Sequence, residues 1–245
     1  MSVNYTVDTQ WEGFRRVEFE FQGRRAILLC PKEPCEQKKW LFKTEYFGAF
    51  PQFELEMVER GYHVAYLQNE TRWHVASDDD AKEDFCEFLH QELGFHEQCL
   101  PVGMSCGGLQ AVYFAAKYPK RVAALYLDAP VLNLLSCPFA IGRAEDESMY
   151  AEFVKHTGLT LSDMINYRNH PIDHMDELLE NHIPVFLVSG DSDVVVPYCE
   201  NGQVFYEYYK KHGGNITQIV KEGCDHHPHG LEDNTPLIKF VEKYY

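Results

Sequence analysis

The sequence has no long apolar run and no excess of positive charge. No stretch approaches the roughly 20 apolar residues of a membrane span, and the opening MSVNYTVDTQWEGFRRVEFEF contains no apolar core of signal-peptide length. The formal net charge is −16, with the acidic residues spread along the chain. This charge disfavours binding to nucleic acid or to an anionic membrane surface. We therefore expect a cytoplasmic protein that acts on a small neutral molecule.

Paired cysteine motifs, internal repeats and low-complexity segments are absent as well. The eight cysteines are scattered without CxxC spacing, which argues against a zinc finger and indicates free thiols in a reducing compartment. No linker rich in Pro, Gly or Ser divides the 245 residues. Because a chain of this length can bury a single core, we expect one domain over residues 1–245.

Short apolar runs alternate with helical patterns along most of the chain. Residues 17–21 and 26–29 flank the turn sequence QGRR and indicate an antiparallel hairpin. Further strands are predicted at residues 39–43, 62–67, 99–104, 122–127, 183–188 and 216–220, and amphipathic helices lie between most of them. This alternation predicts an α/β fold, with a mostly parallel sheet of eight strands covered by helices on both faces.

One serine lies between small residues, where a predicted strand meets a predicted helix. Residues 101–110 read PVGMSCGGLQ, and Ser105 is the centre of a G-x-S-x-G pattern. Small neighbours permit a sharp turn that lifts the serine hydroxyl above the sheet edge, where it can act as a nucleophile. The alternative is a loop serine that caps the helix. Cys106 competes as a nucleophile, but its position after the turn directs its backbone N–H, rather than its sulfur, at the site.

A serine nucleophile needs a base, and the base needs an acid that orients it. After the strand predicted at 183–188, the segment SGDSDVVVP offers two acids; after the next strand, EGCDHHPHGLED offers three bases. The candidates are Asp191 and Asp193, and His226, His227 and His229. Serine, acid and histidine thus occur in that chain order, each in a loop at the same edge of a parallel sheet. The sequence therefore predicts a catalytic triad at this edge.

Over nearly its whole length the sequence resembles the α/β-hydrolase superfamily, through the segments GMSCGG, GDSDVVVP and GCDHHPHG. In the superfamily pattern G-x-x-D-x-x-V-P the second aspartate is the triad acid, so the resemblance implies this role for Asp193 and a turn-forming role for Asp191. It implies His226 as the base, with His227 and His229 as alternatives. The segment HHPHGL also resembles a subgroup of bacterial esterase-like hydrolases.

The resemblance further implies an oxyanion hole made of backbone N–H groups. The N–H of Cys106, at the positive end of a helix, is the first expected donor. The second is expected from the loop TEYFGAF, at the N–H of Thr44 or Glu45. This loop lacks the HG or HGGG motif that is familiar at that position.

Aromatic residues and a short insertion are expected to shape the pocket. Tyr46, Phe47 and Phe50 lie in the loop TEYFGAF, and Trp73 lies beyond the next strand. Such rings can stack on a sugar or hold an acyl group, so Tyr46, Phe47 and Trp73 are candidate substrate contacts. Residues from about 132 to 181 lie where these hydrolases insert a cap, which here is small, with two or three helices.

The histidine loop also has a metal-binding interpretation. Its potential ligands are Cys224, Asp225, His226, His227 and His229. Pro228 and the close spacing are expected to prevent all these side chains from converging on one ion. We therefore expect no metal and no organic cofactor.

The predicted function is a serine hydrolase that cleaves a carboxylic ester, of a carbohydrate or of another small neutral compound. One alternative is a small serine peptidase of the prolyl-oligopeptidase type, because such catalytic domains share this triad order. The other is a non-catalytic binding protein on a hydrolase scaffold, since a fold does not fix a function. Such proteins usually lack a triad member, and this sequence retains all three.

Overall fold

The fold is known here from a computed structural model, which describes residues 4–145 and 148–245. Its nine strands are β1 (Val7–Trp11), β2 (Phe14–Phe21), β3 (Arg24–Cys30), β4 (Trp40–Lys43), β5 (His63–Leu67), β6 (Leu100–Met104), β7 (Leu125–Asp128), β8 (Val185–Gly190) and β9 (Ile216–Lys221). They form one sheet in the order β1-β2-β3-β5-β4-β6-β7-β8-β9. Strands β4 to β9 are parallel, and β1 to β3 are antiparallel to their neighbours.

The first three strands are joined by two tight turns. Glu12 and Gly13 have φ values of 51° and 84°, and Gln22 and Gly23 have values of 50° and 76°. Positive φ at both central residues is what a two-residue type I′ hairpin turn requires. The predicted number of eight strands is therefore wrong, because β1 adds a ninth. As a largely exposed edge strand, β1 lacks the alternation of apolar and polar residues by which the other strands are recognised.

Helices cover both faces of the sheet, as predicted. They are α1 (Gln52–Glu59), α2 (Ala76–Leu93), α3 (Cys106–Lys117), α4 (Tyr150–Thr157), α5 (Leu161–Met164), α6 (Met175–Glu180), α7 (Gly202–Lys211) and α8 (Thr235–Tyr244). Helices α2, α3, α6 and α7 pack on one face, and α1 and α8 pack on the other. Within the two described segments, none of the helices combines the length and the apolar character of a membrane span.

Strand β4 shows why the central strands are apolar on both faces. Trp40 and Phe42 point to the face of α2 and α3, where Phe42 contacts Phe85 and Phe114. Leu41 points to the opposite face, against α1 and α8. Each such fully buried side chain contributes about 1.5–3 kcal/mol. A parallel sheet covered on both sides therefore reads as short continuous apolar runs in the sequence.

The carboxyl ends of the parallel strands gather the polar residues of interest. The chain leaves β6 at Ser105, β7 at Asp128, β8 before Asp193 and β9 before His226. Between β7 and β8 it forms α4, α5 and α6, at the place predicted for a cap. The grouping of residues 1–245 into one domain with a cap at about 132–181 stays a prediction.

Candidate active site

Ser105 occupies a strained turn between β6 and α3. Its backbone has φ 52° and ψ −121°, a conformation that costs a non-glycine residue about 1–3 kcal/mol. The turn is held because the Ser105 N–H donates to the Asp128 carbonyl oxygen at 3.0 Å, and the Ser105 carbonyl accepts the N–H groups of Gly108 and Val131. A Cβ atom on Gly103 would lie 2.6 Å from the Gly107 carbonyl oxygen, so a larger residue there would force this turn open.

The imidazole of His226 connects Ser105 to Asp193. Its Nε2 lies 3.0 Å from Ser105 Oγ, and its Nδ1 lies 2.7 Å from Asp193 Oδ2. His226 and Asp193 are 7% and 6% exposed, so these bonds are largely shielded from water. Because a carboxylate only accepts hydrogen bonds, Nδ1 carries the proton of the neutral ring and Nε2 presents its lone pair to the serine hydroxyl.

The two aspartates after β8 have different partners. Asp193 Oδ1 accepts the N–H groups of Val195 and Val196 at 2.9 and 2.7 Å, which fixes the carboxylate that faces His226. Asp191 Oδ1 instead accepts the Gly223 N–H at 2.7 Å and the hydroxyl of the adjacent serine. Asp191 therefore ties the acid loop to the loop after β9, and Asp193 is the acid that reaches the imidazole.

A second carboxylate and imidazole pair lies beside the first, which the sequence analysis did not identify. His229 Nδ1 lies 2.8 Å from Asp128 Oδ1, and Asp128 Oδ2 accepts the Gly230 N–H and the Tyr126 hydroxyl. Burial alone would raise the pKa of Asp128, but the His229 hydrogen bond and nearby positive charge hold this pKa below its usual value. Asp128 therefore anchors the histidine loop to the end of β7. The position of Asp128 at the end of a parallel strand is the sequence feature that could have identified it as a site residue.

The remaining histidine of the loop lies at the rim. His227 is exposed, and its ring stacks on Phe50 with centroids 5.5 Å apart. Partial burial, together with the neighbouring imidazoles of His226 and His229, lowers the pKa of His227. Of the three predicted bases, His226 is therefore the one that contacts Ser105, while His229 faces Asp128 and His227 packs on an aromatic ring.

Three of the five candidate metal ligands, the imidazoles of the loop, lie close together. Their ring centroids lie 4.9 Å apart in every pairing, and one ring nitrogen from each lies within 4.8 Å of the others. Asp225 takes a different direction, because its Oδ1 accepts the backbone N–H groups of Val194 and His226. The group that lies together thus consists of three imidazoles without Asp225, which does not contradict the prediction that the five candidate ligands do not all converge on one ion.

The backbone around the turn offers donors for an oxyanion. The Cys106 N–H is the first of α3 and has no intrahelical acceptor. The prediction of Thr44 as a possible second donor is wrong. Its N–H donates to the Val102 carbonyl oxygen at 3.2 Å and so continues the hydrogen-bond ladder between β4 and β6. Of the two candidates for the second donor, the N–H of Glu45 is the one that remains. A Cβ atom on Gly107 would lie 3.5 Å from the Glu45 nitrogen, which shows how closely this loop approaches α3.

The thiol of Cys106 is buried and is a poor nucleophile. Burial raises its pKa to about 11, so the thiol stays protonated at neutral pH. This position agrees with a role for the Cys106 backbone rather than for its sulfur.

A cleft of about 350 Å³ opens over Ser105. It is lined by Tyr46, Ala49, Phe50, Arg72, Met104, Met149, Val195 and the three histidines. Arg72 forms a two-pronged ion pair with Glu152 of α4, with Nε 3.0 Å from Oε1. The charge of Arg72 is thus largely compensated, and the pair ties the wall of the cleft to the inserted helices.

Two of the three aromatic residues predicted to contact substrate lie elsewhere. Tyr46 lines the cleft, but Phe47 packs against Trp11 and Tyr66, on the other side of its loop. Trp73 is 2% exposed, because its ring is buried against Phe153 of α4. Phe50, Met149 and Val195 take their place, and sequence alone cannot separate rings that face a cleft from rings that fill a core.

Comparison with known proteins agrees with the fold. The family model described as alpha/beta hydrolase fold matches residues 60–163, which include Ser105. No match is found among curated protein sequences. The family match covers less than half of the chain, and together with the nine-stranded sheet it confirms the predicted α/β-hydrolase fold. The likeness of HHPHGL to bacterial esterase-like hydrolases stays a prediction.

Solved structures with the same fold include peptidases and an S-formylglutathione hydrolase. A puromycin-hydrolyzing peptidase from Mycobacterium tuberculosis is 17% identical with a TM-score of 0.71, over 94% of this chain and 38% of that protein. An S-formylglutathione hydrolase from Agrobacterium tumefaciens is 15% identical with a TM-score of 0.61, over 91% and 92%. An acylaminoacyl peptidase from Pyrococcus horikoshii is 16% identical with a TM-score of 0.69, over 94% and 42%. The chain therefore spans about two fifths of each peptidase, and identities this low establish the shared fold only.

Proposed function

We propose that this chain, which has the alpha/beta hydrolase fold, is a serine hydrolase that cleaves a carboxylic ester. The observation that supports the proposal best is the hydrogen-bonded series from Ser105 Oγ through His226 to Asp193, with lengths of 3.0 and 2.7 Å. A base in contact with the hydroxyl, itself oriented by an acid, is the arrangement that activates serine at neutral pH.

In the first half of the reaction, Ser105 Oγ attacks the carbonyl carbon of the ester while its proton passes to His226 Nε2. Asp193 stabilises the imidazolium that forms, because its carboxylate already accepts the Nδ1 hydrogen. The tetrahedral intermediate then breaks its bond to the alcohol oxygen, which takes the proton from His226. The acyl group remains on Ser105 as an ester.

In the second half, water attacks the acyl-enzyme with His226 again as the base, and the acid product leaves. In both halves the carbonyl oxygen carries negative charge. The N–H groups of Cys106 and Glu45 are the proposed donors to this oxygen, and the amino end of α3 adds a favourable dipole. Removing one such donor typically lowers kcat by about 10²–10³-fold.

The cleft favours a small substrate without net charge. Its volume of about 350 Å³ lies at the low end of the range for ligand pockets. Tyr46, Phe50 and Met149 supply apolar surface, while Arg72 is paired with Glu152. An ester with a short acyl chain or one ring, of a carbohydrate or another neutral compound, fits these properties.

Hydrolysis of a peptide bond is the second candidate, because two of the similar structures are peptidases. Those proteins are more than twice as long as this chain, so their substrate recognition does not transfer to it. Rates on aryl esters and on aminoacyl anilides separate the two candidates. A peptidase cleaves the anilide as well as the ester, whereas we expect the ester alone to turn over readily.

Labelling with a fluorophosphonate probe, followed by mapping of the modified peptide, tests the proposed nucleophile. We expect a single adduct on Ser105 and no adduct in the matched Ser105→Ala protein. A folded wild-type protein that never labels, or an adduct at another residue, would refute the assignment and favour the non-catalytic alternative.

A further inference from the structure

We infer that His226, His227 and His229 form a binding site for one divalent transition-metal ion of the zinc type, and that the bound ion blocks the serine. The binding half of this inference stands on the histidine cluster itself. The inhibitory half rests on the proposed function, because it requires His226 to act as the base.

The geometry of the three rings lies within reach of one ion. Zinc binds imidazole nitrogens at about 2.0–2.1 Å, which places tetrahedral nitrogens about 3.3 Å apart. One nitrogen from each ring already lies within 4.8 Å of the other two, so each pair must close by at most about 1.5 Å. Because His227 is exposed, rotation of its ring on Phe50 can shorten the two distances that involve His227.

Two of the rings carry the support that metal-binding histidines use. A metal ligand histidine nearly always donates its other ring N–H to a carboxylate, a carbonyl or water. His226 does so to Asp193 at 2.7 Å, and His229 does so to Asp128 at 2.8 Å. In both rings Nδ1 is thereby occupied, and Nε2 is the nitrogen left to face the cleft. Two carboxylate-oriented imidazoles in one cleft are more than a triad requires.

The bound ion and the catalytic reaction compete for the same lone pair. His226 Nε2 accepts the Ser105 proton during hydrolysis, and a lone pair shared with zinc cannot accept that proton. The ion would also occupy the space above Ser105 where the ester carbonyl must lie. Imidazole ligands favour zinc over magnesium, which prefers oxygen, so the effect should be selective.

Calorimetry and inhibition test the two halves separately. Zinc is titrated into Ser105→Ala, which retains all three histidines and is expected to have lost nearly all ester hydrolysis, and one ion per chain is expected to bind. In the wild-type protein, buffered zinc is expected to inhibit ester hydrolysis, with full recovery after a chelator is added and no effect of magnesium. Absence of stoichiometric binding to Ser105→Ala would overturn the site.

Variants outside the proposed catalytic residues locate the site. His227→Ala is expected to raise the half-inhibitory zinc concentration, measured against its own zinc-free rate, by at least the roughly 10–100-fold that loss of a ligand's hydrogen-bond partner costs. His156→Ala removes an exposed histidine that does not line the cleft and is the matched control. Cys224→Ser tests the neighbouring thiol, whose sulfur lies 3.8 Å from the His227 carbonyl oxygen. Both controls are expected to keep the wild-type response.

Three outcomes contradict the inference: an unchanged zinc response in His227→Ala, loss of the response in Cys224→Ser, or acceleration of hydrolysis by zinc. The last would mean that a metal-bound water is the nucleophile. Zinc binding to a protein that neither hydrolyses esters nor reacts with fluorophosphonate would support the site and refute the proposed function.

Discussion

Replacement of Asp193 by asparagine tests whether this side chain sets the tautomer of His226. Asp193 Oδ1 is held by the N–H groups of Val195 and Val196, and Oδ2 accepts the Nδ1 hydrogen of His226. In the variant, the amide oxygen should stay on the two backbone donors, so the NH₂ group must face Nδ1. Nδ1 then has to accept, which moves the ring proton to Nε2, the nitrogen that faces Ser105.

An Nε2–H group cannot take the proton of the serine. The same change in a Ser-His-Asp protease lowers kcat about 10⁴-fold, which corresponds to about 5.5 kcal/mol of transition-state stabilisation. We expect a loss of this size for Asp193→Asn. The fold should change little, because both backbone donors keep their acceptor; a loss of about 1 kcal/mol in unfolding free energy is expected.

Asp191→Asn is the matched control for this experiment. Asp191 contacts the Gly223 N–H and the Ser192 hydroxyl, and it does not contact His226, so its variant should lose less than about tenfold in kcat. Both variants are assayed on a small aryl ester, with thermal unfolding to confirm their folding. More than a tenth of wild-type activity in Asp193→Asn, or a larger loss in Asp191→Asn, would refute the reasoning.

Four further predictions follow from the same contacts. Ser105→Ala should lower kcat on the order of 10⁴–10⁶-fold in the ester assay with nearly unchanged thermal stability, and substantial residual turnover would exclude Ser105 as the nucleophile. Iodoacetamide should leave Cys106 unmodified in the folded protein, since its pKa is raised to about 11; alkylation of Cys106 in peptide maps would contradict this. Asp128→Asn should lower kcat by about 10–100-fold by misplacing the histidine loop, and full activity in kinetic assays would show that the Asp128 anchor is dispensable. Burial lowers the pKa of His63 from 6.5 to about 4, so as the pH falls the imidazole is protonated in the unfolded state before it is protonated in the folded state. The unfolding free energy should therefore drop by about 3 kcal/mol between those pH values, and His63→Gln should remove this part of the slope in denaturant titrations; equal slopes would refute it.

The sequence predicts the parallel part of the fold well because its signals are local. Both faces of β4 to β8 are buried, so these strands appear as apolar runs, and the glycines around Ser105 reflect contacts within a few residues of the turn. The loop order of serine, acid and histidine follows from the topology of a parallel sheet. These features do not depend on knowing the conformation of any loop.

Other features depend on contacts between distant segments, which the sequence does not reveal. Thr44 is excluded as an oxyanion donor only because β4 pairs with β6 in a register that uses its N–H. Trp73 is excluded from the cleft because Phe153, 80 positions later, covers it. Edge strand β1 is missed for the opposite reason, since it buries too little to leave a pattern.

The choice among the three histidines is also set by distant contacts, because the loop after β9 must cross the sheet. Strands β6, β7, β8 and β9 are consecutive neighbours, so a spacing of about 4.8 Å places Ser105 about 14 Å from the end of β9. The loop is held at each intervening strand. Asp225 bonds to the Val194 N–H in the loop after β8, and Asp128 at the end of β7 holds His229.

Carboxylates therefore determine where two of the three imidazoles lie. Backbone N–H groups hold the pKa of Asp225 below its usual value, and the pKa of Asp128 is also lowered despite its burial. Both side chains thus remain charged acceptors at neutral pH, and they would release the loop only in acid. Because Asp225 and Asp128 are fixed, the His229 ring lies at the end of β7, and the His226 ring is the one that reaches Ser105. The segment HHPHG contains neither carboxylate, so its own residues cannot specify which histidine becomes the base.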